Sequence, residues 1–313
     1  MDPRDLLIVG CGFSGRAIAR AAVGMGWRVT GTCAAPGHAP AVAASGALPH
    51  ALELGAALAD ADGRRALAGL IAAHRFVVLA VGPNRVPGTE RFVDYTERLV
   101  PPLLASGRLE AVVYLSSTGI YGNRGGAWVD EATPPGLDVG PRGVARQEAE
   151  RALLEAARFQ RLPVRILRLA GIYGPGRHIG LRIRAGDYRV IEADPPLVVN
   201  RIHVDDLAQA ALAALGGGAP GEVYVVADGV PATLREVADH AAALMGLPAP
   251  PGEPAEVART RMGEANFHLV ADRKRCRNRK LIEELGVTLA YPSYREGLRQ
   301  ALAADGLLAS QGL

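Results

Sequence analysis

Apolar residues come in short unbroken runs along this chain, at positions 6–9, 28–31, 76–81, 111–116, 164–169 and 223–227. Most are β-branched and do not alternate with polar residues, as expected of parallel strands covered on both faces. Helix-like periodicity fills the gaps, over residues 16–25, 63–73, 90–106, 144–161 and 205–215. The prolines at 101 and 102 break or bend the third of these. Residues 39–61 are Ala-rich and carry little pattern beyond a short strand near 51–54. Strands alternating with helices predict an α/β fold, a doubly wound, mostly parallel Rossmann sheet.

The pattern loosens after Gly171. Prolines punctuate longer loops, and short helices are expected at 234–245, 280–285 and 294–304. This predicts a small C-terminal substrate lobe grafted on the sheet. Residues 1–173 are expected to form the core and residues 202–230 to return to it, while 174–201 and 231–313 supply mainly the lobe and C-terminal elements. Residues 174–201 and 248–280 are placed to enclose a substrate.

The first apolar run ends in Gly10-Cys11-Gly12-Phe13-Ser14-Gly15, a G-x-G-x-x-G turn between a strand and a helix. Gly10 permits the turn, Gly12 lets backbone approach a diphosphate, and Gly15 lets helix and strand pack closely. With Phe13 and Ser14 these residues offer main-chain N–H groups at a positive helix end. Thr32, at the tip of the second strand, is a candidate ribose contact, and Val81 and Gly82 end the fourth. No acid follows the second strand, which leaves NADP or NAD open with a lean to NADP. Ser116, Ser117 and Thr118, followed by Tyr121, put hydroxyls and a phenol on the ligand edge of the sheet.

Composition narrows the rest. The chain has 313 residues, three cysteines and a net charge of +3. Three cysteines give no disulfide framework and no zinc spacing, so no metal site and a reducing, cytoplasmic setting are expected. The four-residue opening run is neither a signal peptide nor a membrane span. Aromatics are only 5% of residues, against base stacking and a nucleic-acid partner. The basic run from Arg273 to Lys280 reads as a solvated face or a rim of the lobe. A homodimer is the default for oligomeric state.

The glycine turn, the Ser116-Ser117-Thr118 run, Tyr121-Gly122, the segment Leu169 to Arg177 and His203-Val204-Asp205-Asp206-Leu207 together resemble the extended short-chain dehydrogenase/reductase family. The likeness is to its nucleotide-sugar epimerase/dehydratase-like branch, especially the atypical bacterial members. The resemblance implies a hydroxyl residue, matched by Thr118 or Ser117, and a tyrosine and lysine four apart that exchange a proton and hold the nicotinamide ribose. The tyrosine position is Arg142 and the lysine position is Arg146, and Val9 stands where the family usually has its first glycine. Arg146 is then a candidate ribose contact as a fixed cation, and Arg142 a candidate for a developing oxyanion. Tyr121 is the first candidate for the missing phenol. Tyr173 and His178, or Asp130 with Glu131, are further acid–base candidates. Tyr173, Arg177 and His178 are expected near the substrate, and the arginines at 177, 182, 184, 189 and 201 suit an anionic group on it.

Three readings follow. The leading one is an NAD(P)-dependent oxidoreductase or epimerase-like enzyme on a polar small molecule. The alternatives are a non-catalytic dinucleotide-binding redox sensor or scaffold, and a non-redox lyase or isomerase in the same pocket.

Overall fold

The computed structural model describes residues 4–309. Seven parallel strands form one sheet: β1 (Asp5–Val9), β2 (Arg28–Cys33), β3 (Leu48–Ala51), β4 (Phe76–Leu79), β5 (Ala111–Ser117), β6 (Val164–Leu169) and β7 (Val223–Val226). Their order is β7-β6-β5-β4-β1-β2-β3, the doubly wound arrangement expected. Alternate residues of β1 serve opposite faces. Leu6 and Ile8 pack with α1 (Phe13–Gly24) and α4 (Val204–Gly216). Leu7 and Val9 pack with α2 (Ala61–Ala72) and α3 (Pro141–Gln160).

Two local expectations change. The short strand falls at Leu48–Ala51, upstream of 51–54; it is short, contains Pro49 and is mostly exposed at the sheet edge, so no buried apolar run marks it. Residues 90–106 are not one helix. A two-residue strand Phe92–Val93 and a 3₁₀ turn Tyr95–Leu99 precede a helix at Val100–Ala105. Pro101 and Pro102 sit in that helix's first turn, where an N–H has no helical acceptor to lose.

The lobe has its own core, in which Tyr173, Ile191 and Leu197 meet Phe267, Tyr294 and Leu298. Its helices are α5 (Leu234–Leu244), α6 (Ala255–Met262), α7 (Glu264–Ala271), α8 (Arg279–Leu285) and α9 (Tyr294–Ala304). Thr233 and Glu236 form a capping box on α5, and Ser293 and Glu296 another on α9. The lobe comes back against the core through Lys274-Arg275-Cys276, where Arg275 and Cys276 pair with Trp128 and Val129 in a separate two-stranded sheet.

Candidate active site

A cleft of about 500 Å³ runs along the carboxyl edge of the sheet, under the lobe. Its floor is the glycine turn. Gly10 has φ +91°, and its N–H donates to Thr32 Oγ1 at 2.8 Å. The Cys11 N–H donates to the Thr32 carbonyl at 2.7 Å. Thr32 is 2% exposed and spent on bracing this turn, so it is not the ribose contact expected. A Cβ on Gly15 would lie 2.8 Å from the Gly10 carbonyl oxygen, while one on Gly12 would meet nothing within 4 Å. Gly15 therefore serves helix–strand packing, while the Gly12 position faces open space. Phe13, Ser14, Ala80 and Gly82 line the same floor, whereas Val81 does not line it and instead packs against Gly10.

Strand β5 delivers the hydroxyls. Ser117 Oγ accepts from the Gly119 N–H at 3.0 Å, and Thr118 Oγ1 donates to the Leu169 carbonyl at 3.3 Å. Both side chains line the cleft. Behind them lies a buried network. Ser116 Oγ donates to Glu150, and Arg168 Nη2 donates to Glu150 Oε2 at 2.9 Å. Arg168 Nη1 also donates to the Tyr121 hydroxyl at 2.9 Å, and that hydroxyl donates to the Asp130 carbonyl at 2.7 Å. Tyr121 is fully buried, and burial pushes its phenol well above the ordinary range. It belongs to the core and is not the missing proton donor. Asp130 and Glu131 are likewise engaged, with Thr133 and with the Val225 N–H, and neither lines the cleft.

The two arginines of α3 differ. Arg146 Nη1 donates to Asp94 Oδ2 and to the Tyr114 hydroxyl, each at 2.8 Å, and to the Val81 carbonyl at 3.2 Å. This fixes the guanidinium at the cleft wall, with its other terminal nitrogen beside Gly82. Arg142 is half-buried, stacks 4.8 Å over Phe92 and donates to Asn266 Oδ1 of α7 at 3.5 Å, spanning from core to lobe. Arg177 also lines the cleft, 5.2 Å over the Phe13 ring. Its two companions from the sequence do not. Tyr173 is 2% exposed in the lobe core, and His178 Nε2 is bound to Asp305 Oδ2 at 2.8 Å. Arg177 stays exposed at the open cleft, while Tyr173 and His178 are buried in packing.

The lobe adds three cleft residues that the sequence reading did not select: His268, Asp272 and Lys274. Lys274 is 5% exposed, with Nζ 3.7 Å from Asp272 Oδ2 and donating to the Gly122 carbonyl at 3.3 Å. Burial lowers its pKa, and Asp272 partly offsets this. Burial raises Asp272 in turn. His268 Nδ1 lies 3.8 Å from Asp272. Asn200 fastens the strand that carries the lysine, donating to the Lys274 carbonyl at 2.9 Å and accepting from the Cys276 N–H at 2.8 Å. The available signal was alternation: Lys274 and Cys276 are buried while Arg275 and Arg277 are more exposed. Among the described residues no cluster of acidic, His and Cys side chains could hold a metal ion.

Residues 6–227 match the profile of the NAD dependent epimerase/dehydratase family. The chain belongs to this family. It is 31% identical over 251 residues to protein YeeZ of Escherichia coli K12, covering 79% of this chain and 86% of YeeZ. It is 30% identical over 174 residues to a 3-diazoavenalumate denitrifying reductase of Streptomyces, covering 54% of this chain and 55% of the reductase. A conserved protein of unknown function from Silicibacter pomeroyi DSS superposes with a TM-score of 0.80 at 33% identity, covering 96% of this chain and 98% of that one. No helix among the described residues is long and apolar enough to cross a membrane.

Proposed function

We propose that this protein is an NAD(P)-dependent oxidoreductase or epimerase-like enzyme acting on a polar, sugar-like small molecule, and that Lys274, in place of a phenol, exchanges the proton with the substrate oxygen. One observation carries this reading. A single cleft holds the open glycine turn, the Ser117 and Thr118 hydroxyls, and the buried ammonium of Lys274. The residues fit a dinucleotide, because the Gly12 position is free of protein atoms where a diphosphate would lie. Bound there, the nicotinamide supplies or accepts a hydride.

The chain's own residues do the rest. The main-chain N–H groups from Phe13 to Gly15, at the start of α1, would hold the diphosphate. Arg146 offers a fixed cation beside Gly82, in the place the family gives to a ribose-binding lysine. Ser117 donates to the substrate oxygen while its own lone pair stays on Gly119, and Thr118 accepts from a substrate hydroxyl. Lys274 Nζ gives up a proton readily because burial has weakened its hold on it. Asp272 keeps the ammonium within reach, and Arg142 steadies negative charge at the mouth.

Titration with oxidised and reduced NAD and NADP, followed by nicotinamide fluorescence, is expected to give saturable binding for one pair. Lys274→Met is expected to keep that affinity and to lose about 10²–10⁴-fold in turnover of keto sugars or hydroxy acids. In the reducing direction the wild-type rate falls as pH climbs through the lowered lysine pKa, and Lys274→Arg removes that limb. Dinucleotide binding with no turnover in either direction would favour the sensor reading, in which Arg142 and Arg146 replace the catalytic pair for good.

A further inference from the structure

The cleft does not end at Lys274. A smaller chamber of about 140 Å³ opens from it, sharing Thr118, Gly171, Asp272 and Lys274 and closed by Val198, Val199, Asn200, Arg201, Leu234 and Val270. Arg201 starts a short strand, Arg201–His203, that pairs with Gly171–Tyr173. Its backbone carbonyl accepts from the Asp228 N–H at 2.7 Å, which fixes where the side chain leaves the main chain. Its guanidinium makes no hydrogen bond and no ion pair among the described residues, and its Nε is buried without a partner. The Tyr173 hydroxyl is also buried and unpartnered. The other arginines set in the interior, Arg146, Arg165 and Arg168, each donate to at least one carbonyl or carboxylate.

A guanidinium carries five fixed donors and cannot shed its charge, so leaving it inside a protein without an acceptor is costly. A ligand that brings the acceptor removes the cost. The chamber's own lining holds Arg201, Lys274 and one carboxylate, Asp272, while Asp228, which acts on Arg201 from outside that lining, is kept protonated by burial below about pH 7, so the charge there is a single net positive one. That balance matches a monoanion, and a planar guanidinium matches a carboxylate edge with two parallel hydrogen bonds. Asn200 cannot serve the ligand instead, since its amide is already committed to the Lys274 strand. Valines 198, 199 and 270 with Leu234 supply apolar walls and keep bulk water from competing.

We propose that the Arg201 chamber is a carboxylate subsite, so that the enzyme acts on a small hydroxy- or keto-compound bearing one carboxylate, which Arg201 seizes while Lys274 and Thr118 meet the oxygen nearer the cleft. This rests on the enzymatic reading above and names its substrate class.

The test is calorimetric titration of protein saturated with its dinucleotide, using glycolate, the neutral isostere glycolamide, and inorganic phosphate. Glycolate is expected to bind at least tenfold more tightly than glycolamide and more tightly than phosphate. Arg201→Gln is expected to abolish the preference, weakening glycolate by roughly 10- to 100-fold while the dinucleotide titration stays as in wild type. Equal affinity of the wild type for glycolate and glycolamide overturns the proposal without any variant. Preference for phosphate overturns it too, as does unchanged glycolate affinity in Arg201→Gln. A wild type that binds no dinucleotide fails the enzymatic reading instead, and the same three-ligand comparison on that protein still decides the subsite.

Discussion

The glycines of the first turn divide labour in a way that single substitutions expose. A methyl group at Gly12 meets no protein atom, and its φ of −82° is open to any residue. Gly12→Ala is expected to leave the melting temperature within about 2 °C of wild type and to weaken dinucleotide binding at least tenfold, by thermal scanning and fluorescence titration side by side. Gly10 would clash with Val81 and has a left-handed φ, so Gly10→Ala should instead lower the melting temperature. The sequence made this turn legible because its function depends on backbone conformation, which glycine spacing records. It did not disclose Thr32 as the turn's brace or Tyr121 as a core residue. A hydroxyl on the ligand edge of a sheet can point either way, and only packing around Arg168 decides for Tyr121.

Between elements, the Glu150–Arg168 pair ties α3 to β6 with both side chains about 5% exposed or less. Taking one partner away strands a buried charge. Arg168→Met is expected to cost about 3–5 kcal/mol in urea unfolding, and the double replacement Glu150→Leu with Arg168→Met distinctly less. A double-mutant cycle checks this, and a coupling near zero would mean the pair is replaceable. Strands and the long helix α3 were readable from hydrophobic runs because both faces of the sheet are covered. The basic run from Arg273 to Lys280 was not. Charge density says surface, but here a two-residue strand turns alternate side chains inward, and the Asn200 amide that holds it lies far away in sequence. Short pairings between distant segments leave almost no periodic trace.

For the molecule as a whole, pH sets a stability gradient through Asp228. Burial raises this carboxyl from 3.8 to about 7; the Val230 N–H on Oδ1, nearby Arg201 and the Tyr294 backbone offset it only in part, and Oδ2 has no hydrogen-bond partner among the described residues. The unfolded chain releases that proton near 3.8 and the folded chain only near 7, so the folded form binds more protons across that interval. Stability contributed by this group therefore declines as pH rises from about 4 to 7 and is flat above. Asp228→Asn is expected to be more stable than wild type at pH 8, by up to about 4 kcal/mol, with the gap closing at pH 4. Melting curves across that range check the sign, and a gap that widened on acidification would refute it. The strand–helix rhythm loosens after Gly171, but the reach of the C-terminal elements into the cleft left no mark in the sequence, since it depends on three-dimensional closure.

That reach has a consequence for how relatives are sorted. The segment by which this chain is assigned to its family stops at residue 227, while the lysine that distinguishes its cleft stands at 274. Two chains can agree throughout the first segment and differ in the reagent hung over it. On the role proposed for Lys274, the residue at position 274, together with the asparagine that moors it, is a sharper key to shared chemistry than the glycine turn.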